Sequence, residues 1–333
     1  MAEFTTIVVP IDGSASADTI LPYAATLARL EGAEIVLLRV LDYNHPIYLA
    51  SSYHVSDDDE RGSQLDLPLG ELLEPEVSRL QASGLTVHPA IRFGNPSEEI
   101  RDEAEKYSHP IIALASHSRG GVSRAVLGSV AASVSRSSRQ PVFIVRVTNG
   151  PIEVDPIPFR RVCVLLDGSA LAEAAIEPAI TIARPAGATI ELVHVAETYR
   201  DELPPHPPSK WFFPSYPAVI HRFERIEAEA DDYLREIATH LQQDGLTLTR
   251  RVLSGDPSRQ LLNYLNNAPP DLVVMTSHGR GGVKRLLMGS VADKILTGSQ
   301  TPLLLIHNPE SIMPQLQREL REIDRGTMAP SSL

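Results

Sequence analysis

The sequence repeats itself, and this repeat limits the fold more than any other feature of the chain. Residues 115–130 read ASHSRGGVSRAVLGSV and residues 276–291 read TSHGRGGVKRLLMGSV, so ten of the sixteen positions are identical. An Asp-Gly-Ser triplet also occurs twice, at residues 12–14 and 167–169. Similarity at a nearly constant offset is the signature of a duplicated structural unit. The chain therefore contains one domain twice.

The duplication divides the 333 residues into two domains of ordinary size. We predict a first domain over residues 1–148, a linker over 149–159 with three prolines, a second domain over 160–309 and a partly helical tail over 310–333. Apolar residues of the tail are spaced to share one helical face, so we expect the tail to dock on the body or on a partner.

Each copy alternates apolar runs with segments of helical periodicity. Continuous Val, Ile and Leu runs indicate strands buried on both faces, which occur in mainly parallel sheets. Right-handed crossovers then place helices on both sides. We therefore predict an α/β fold of two doubly wound, mainly parallel five-stranded sheets. The predicted strands cover residues 6–9, 34–41, 85–93, 111–114 and 141–145 in the first copy, and 161–166, 190–195, 246–253, 272–275 and 303–306 in the second.

The composition excludes several classes of protein. A net charge of −12 argues against nucleic acid as a partner, because binding the phosphate backbone needs a basic surface. The single cysteine, Cys163, lies in an apolar run and excludes an intramolecular disulfide and a Cys-rich metal site. No apolar stretch approaches the roughly 20 residues of a membrane span, and the first residues lack the pattern of a signal peptide. We expect a cytoplasmic protein without membrane contact.

Candidate ligand residues follow the first and fourth strands, because open α/β sheets bind ligands beyond the carboxyl ends of their strands. Asp12 and Asp167 follow the first strand of the two copies. The pairs Gly128-Ser129 and Gly289-Ser290 follow the fourth strand and begin a helix. A helix start offers N–H groups and a positive dipole end to an anion, and glycine allows close approach and positive φ. Turn formation and ordinary helix initiation explain the same residues without a ligand.

The sequence lacks the motifs of common nucleotide and hydrolytic enzymes. It has no GxxxxGK[ST] loop with a phosphate-binding lysine, no GxGxxG fingerprint, no GxSxG elbow and no HExxH motif. Because no nucleophile, general base or such lysine is evident, we expect a bound nucleotide to act as a conformational ligand rather than to fuel fast turnover.

The order of the motifs resembles the universal stress protein family, twice and over almost the whole chain. Each copy has a strand ending in Asp-Gly-Ser, a later Gly-Asn/Asp-Pro-Ser, and a fourth strand followed by Ser-His-x-Arg-Gly-Gly and a Gly-Ser pair. The resemblance implies the strand order 3-2-1-4-5, with the fifth strand at a dimer or pseudo-dimer seam. It also implies ATP or a related adenine nucleotide as ligand, with an aspartate at the nucleoside, glycines and Ser or Thr at the phosphates, and any Mg²⁺ held mainly by the phosphates.

The resemblance assigns binding residues more completely to the second copy. Thr276 stands where the family has its first glycine, and Val195 would lie against the base. In the first copy Ala115 and Ser118 replace the first two glycines. A left-handed backbone at a non-glycine residue costs about 1–2 kcal/mol, so we predict that the second copy binds ATP better. The candidate residues are Asp167, Gly168, Ser169, Val195, Thr276, His278, Gly279, Arg280, Gly289, Ser290 and Val291 in the second copy, and Asp12, Gly13, Val40, Gly128 and Ser129 in the first.

Three functional hypotheses stay open. The leading one is a stress-response protein that binds an adenine nucleotide as a regulatory ligand. A slow ATPase, in which Asp167 or His278 positions water, is the enzymatic alternative, and a ligand-free interaction scaffold is the third. His278 is also explained as a residue that packs its loop. We expect the two domains to pair within the chain, and the sequence leaves open whether whole chains dimerise and which protein responds.

Overall fold

The computed structural model describes residues 4–41, 43, 72–116, 127–147, 157–199, 216–242, 245–278 and 288–307. The predicted tail, most of the predicted linker, Ser118, Gly279 and Arg280 lie outside these residues. The first domain contains strands β1 (Thr6–Pro10), β2 (Glu34–Leu41), β3 (Val87–Phe93), β4 (Pro110–Ser116) and β5 (Val142–Arg146). The second contains β6 (Arg161–Leu166), β7 (Thr189–Ala196), β8 (Thr247–Ser254), β9 (Leu272–Thr276) and β10 (Leu303–Ile306).

These strands form one sheet in the order β3-β2-β1-β4-β5-β10-β9-β6-β7-β8. The strand order 3-2-1-4-5 is confirmed in each domain, and all pairs within a domain are parallel. The two predicted five-stranded sheets are the halves of this sheet. They meet where β5 and β10 pair antiparallel, with Phe143 opposite Leu304. This pairing satisfies the backbone groups that a fifth strand would otherwise expose at a sheet edge.

Helices cover both faces of the sheet, as a doubly wound fold requires. The first face carries α1 (Leu21–Glu31), α2 (Glu74–Ala82), α6 (Ile176–Ala186) and α7 (Tyr216–Gln242). The second face carries α3 (Pro96–Ala104), α4 (Ser129–Ser137), α8 (Pro257–Asn267) and α9 (Ser290–Gly298). The short helix α5 (Ala170–Glu173) follows β6 on the first face. Among the described helices, none is long and apolar enough to cross a membrane.

The core consists of two apolar layers, one on each face, and each layer includes residues of both domains. Phe143 on β5 is fully buried and contacts Phe159 with a ring-centroid separation of 6.3 Å. Phe159, the last residue of the predicted linker, is therefore a core residue. Cys163 is also fully buried, and burial raises the pKa of its thiol, which agrees with the inert role suggested by its apolar run.

One pair of matching helices differs in length between the two copies far more than any pair of matching strands. Helix α1 ends at Gly32, whose φ of +66° is the left-handed conformation in which glycine closes a helix. Helix α7 has 27 residues, whereas its counterpart α2 is described over nine. Four residues of α7 are buried (Phe223, Ala230, Leu234 and Ala238), and most of the other residues of this helix face solvent.

Candidate functional site

A tight turn follows the first strand of the second domain. Oδ1 of Asp167 accepts hydrogen bonds from the backbone N and the Oγ of Ser169, at 2.9 and 2.6 Å. Gly168 between them has a φ of +80°, which glycine adopts without strain. The Oγ of Ser169 then accepts from the N–H of Ala172, at 3.2 Å, and caps α5. Asp167 thus shapes the turn, and its contact with a nucleoside stays a prediction.

The first domain builds the same turn but surrounds it differently. Oδ1 of Asp12 accepts the matching pair of bonds at 3.0 and 2.6 Å, and Gly13 has a φ of +77°. The guanidinium of Arg39 packs against Gly13, so a Cβ at this position would overlap it. In the second domain His194 takes the place of Arg39, with Nδ1 2.9 Å from the carbonyl oxygen of Leu166. The first-domain turn is therefore covered by a cation.

A second carboxyl group lies beside each turn, and the sequence analysis missed both. Asp18 and Glu173 each stand six residues after the aspartate of the turn, and this repeated spacing was the signal that could have found them. Burial is the main cause that raises the pKa of both groups. At Glu173, a hydrogen bond of 3.0 Å from the Tyr233 hydroxyl partly offsets this effect, and repulsion from Glu236 and Asp167 adds to it.

The ends of the fourth strands overturn one expectation. Thr276 is the last residue of β9 and Ala115 lies within β4, so both belong to strands. Among the described non-glycine residues, only His109 has a positive φ. The expected cost of a left-handed backbone is therefore wrong at Ala115, because strand geometry accepts a side chain there. The Oγ of Thr276 donates to the carbonyl oxygen of His278 at 2.6 Å and holds the start of the following loop.

Helices α4 and α9 begin directly after Gly128 and Gly289, and neither start has a side-chain cap. By contrast, the side chains of Asn95 and Asp256 cap α3 and α8. The first N–H groups of a helix have no partner within the helix, so without a side-chain cap these two starts can offer their N–H groups to an anion.

Neither glycine is required by an unusual backbone angle, and Gly289 is packed closely against the loop that precedes it. Gly289 donates its N–H to the carbonyl oxygen of Ser277 at 2.8 Å, and a Cβ on Gly289 would lie 3.3 Å from that oxygen. Gly128 instead donates to the Oγ of Ser116 at 3.3 Å. The φ angle is −58° at Gly128 and −61° at Gly289, so the expectation of positive φ is wrong at these two positions.

The candidate residues of the second domain that the structure describes lie at the carboxyl end of the parallel strands. Val195 is buried near the carboxyl end of β7, on the face that carries α9, and Asp167 follows the neighbouring strand β6. Ser290 is exposed at the first position of α9, and Val291 packs against the core. Val40 and Ser129 take the matching places in the first domain.

The universal stress protein family model matches the chain twice, over residues 3–146 and 158–307. The chain belongs to this family. Universal stress protein Rv2005c of Mycobacterium tuberculosis is 28% identical over 309 residues, which cover 90% of this chain and 96% of the relative. A universal stress protein structure from Archaeoglobus fulgidus superposes with a TM-score of 0.60 at 22% identity, covering 92% of this chain and 99% of its own. A putative universal stress protein from Pseudomonas aeruginosa gives a TM-score of 0.62 at 14% identity, covering 93% and 95%.

The two universal stress protein domains also exchange contacts across their seam. Arg146, at the end of β5 and 6% exposed, reaches into the second domain. Its guanidinium donates to the carbonyl oxygens of Ser299 at 3.3 Å, Thr297 at 2.9 Å and Leu296, and lies 3.4 Å from the Oγ of Ser116. Arg146 therefore caps the carboxyl end of α9, the helix whose other end is the candidate phosphate site.

Proposed function

We propose that this tandem universal stress protein binds an adenine nucleotide, ATP in the first instance, as a regulatory ligand in the stress response. The second domain would be the main site. The start of α9 carries the proposal: Gly289 packs closely on Ser277, the first N–H groups of the helix have no side-chain cap, and the hydroxyl of Ser290 is exposed beside them. Such a helix start attracts phosphate through its N–H groups and its dipole.

The surroundings of the two turns support a difference in nucleotide binding between the domains. Arg39 packs on Gly13 in the first domain and crowds the place where a nucleoside would meet Asp12. In the second domain the corresponding His194 is held back by the Leu166 carbonyl oxygen. We therefore expect Asp167 and Val195 to contact the nucleoside while the start of α9 binds the phosphates, with any Mg²⁺ held mainly by the phosphates.

Matched glycine variants test the proposal. Calorimetric titration of the full chain with ATP should give about one site, and Gly289→Ala should weaken binding about tenfold, which corresponds to about 1.4 kcal/mol. The added methyl group would lie 3.3 Å from the Ser277 carbonyl oxygen and should shift the helix start that we expect to bind the phosphates. Gly128→Ala, the same change in the first domain, should leave the affinity within about twofold. Two equal sites, or equal losses in the two variants, would contradict a main site in the second domain.

The same samples distinguish the other hypotheses. Multiple turnovers of ATP that disappear in Asp167→Ala would favour a slow ATPase. Native mass spectrometry of the purified chain with ATP, ADP and AMP addresses the scaffold hypothesis. If none of the three nucleotides binds, the regulatory-ligand proposal fails and an interaction scaffold remains.

A further inference from the structure

Two histidines of the second domain, at the ends of β9 and β10, each have a buried ring nitrogen without a partner among the described residues. His278 follows β9, and its Nδ1 lies 2.9 Å from the Oγ of Ser277, the residue whose carbonyl oxygen binds the N–H of Gly289. His307 follows β10 and is 6% exposed. The Nε2 atoms of both rings are buried and have no hydrogen-bond partner among the described residues. Buried polar atoms of this kind are rare, so a pair of them at one place needs an explanation.

The strand pairing places these two residues close together. Strands β9 and β10 are parallel neighbours, and the N–H of Ser277 donates to the carbonyl oxygen of Ile306 at 3.0 Å. His278 and His307 are the next residues on the two strands. Burial, and then the nearby His278, lowers the pKa of His307 to about 4. His307 is therefore neutral at neutral pH when no ligand is bound.

The matching position in the first domain shows that an unpartnered group is not a requirement of the fold. Arg146 and His307 are separated by the repeat offset of 161, and both end the strand that forms the seam. Arg146 uses its guanidinium to cap α9, whereas the Nε2 of His307 has no partner among the described residues. The second domain thus keeps an unpartnered polar atom at the position where the first domain binds a helix of the other domain.

Among the described residues, His278 is the one titratable neighbour that shifts the pKa of His307. On the two helices that flank the seam, Arg136 of α4 and Asp293 of α9 pair at 2.8 Å, and Lys294 of α9 is exposed. Arg139, after α4, is exposed, and Arg146 is bound to the end of α9. Among the described residues, no group of three His, Cys, Asp or Glu side chains could hold a metal ion. Each unpartnered Nε2 can accept a proton when its ring is in the Nδ1–H tautomer.

We propose that His278 and His307 form a proton-binding pair beside the start of α9, so that a bound nucleotide is accompanied by uptake of a proton. This inference rests on the proposed nucleotide site. A phosphate at the start of α9 brings negative charge next to both rings, and a nearby opposite charge favours the protonated form of an imidazole. Binding raises the proton affinity of the pair, so by linkage the affinity for nucleotide increases as the pH falls.

Calorimetry tests this coupling in the full chain with ATP as the probe. Titrations in two buffers that differ in heat of ionisation, at about pH 6 and about pH 7.5, give the number of protons taken up per ATP. The variant with both His278→Gln and His307→Gln supplies the background from ATP itself. We expect the wild-type chain to take up about one proton more than the variant and to gain about tenfold more affinity on acidification. His88→Gln, an exposed histidine of β3, is the matched control and should behave as wild type.

Histidine NMR signals give a readout that needs no variant. In the free protein His307 should remain neutral at about pH 6, and addition of ATP should move its signals toward those of the protonated ring. ATP binding with the same proton uptake in wild type and double variant, together with unchanged His307 signals, would overturn the coupling and leave the nucleotide site intact. Absence of ATP binding at both pH values would overturn the nucleotide site and the coupling with it.

Discussion

Matching positions at the two ends of the domain seam carry side chains with different hydrogen bonding. Arg146 and His307 end the paired strands β5 and β10, and each is 6% exposed. The arginine is long enough to reach the last carbonyl groups of α9 and is bound there. The Nε2 of His307 has no partner among the described residues. A duplicated domain can therefore use one copy of a position to join its halves while the other copy makes no such contact.

The same division extends to the helices that begin at the candidate sites. Helix α9 is held at its carboxyl end by Arg146 of the other domain, and its start is the candidate phosphate site. A cation at the carboxyl end of a helix favours the helix dipole. The seam thus stabilises the element that the proposed nucleotide would bind. The stabilities of variants at the seam test this difference between its two ends.

The largest effect should come from Arg146. Arg146→Ala leaves the carbonyl oxygens of Ser299 and Thr297 without their donor and opens a space in the seam, so we expect the free energy of unfolding to fall by about 3 kcal/mol. Arg146→Lys keeps the charge but loses the planar fork and should cost about half as much. Urea unfolding at neutral pH measures both. A loss below about 1 kcal/mol for Arg146→Ala would mean that the seam does not depend on this residue.

An intermediate effect on the free energy of unfolding should come from protonation of His307, at the other end of the seam. The folded protein lowers the pKa of His307 to about 4, so the unfolded chain takes up this proton first, near the usual pKa of about 6.5. The contribution of His307 to stability is therefore complete above pH 6.5 and is lost as the pH falls toward 4. Between about pH 7.5 and pH 4.5, wild type should lose about 2–3 kcal/mol more than His307→Gln. Urea unfolding curves that shift equally in both proteins would show that His307 is not held neutral.

The smallest effect should come from the ion pair that crosses the seam on the surface. Arg136 and Asp293 pair at 2.8 Å, with side chains 48% and 43% exposed. Exposed pairs contribute little because water and salt screen them, so Arg136→Ala should change the free energy of unfolding by less than about 1 kcal/mol. Thermal unfolding at low and high salt is the measurement. A loss comparable with that of Arg146→Ala would remove the distinction between buried and exposed seam contacts.

Local patterns were sufficient to predict most of the fold. Each strand is a short apolar run between helical segments, and such runs indicate buried parallel strands wherever they occur. The strands of the second domain lie within about two residues of their predicted bounds. The turns at Asp12 and Asp167 were also predictable, because an aspartate followed by Gly-Ser forms its hydrogen bonds within three residues.

The candidate site was predictable only in part. The sequence indicated Asp167, Gly289 and Ser290, because the repeat and the family resemblance mark them. It could not show that Glu173 and His307 have shifted pKa values, because those values depend on burial and on neighbours that other elements supply.

The sequence by itself determined that the chain is a duplicated α/β domain with a Gly-Ser pair at the start of a helix in each copy, and the family resemblance implied the strand order 3-2-1-4-5. Tertiary structure decided that the halves share one sheet and that Ala115 needs no left-handed backbone. It also decided that Arg146 is hydrogen-bonded across the seam, whereas the Nε2 of His307 has no partner among the described residues. The physical reason is distance along the chain. Strand and turn formation depend on neighbouring residues, whereas the seam joins β5 to β10, and the partners of Arg146 lie about 150 residues away.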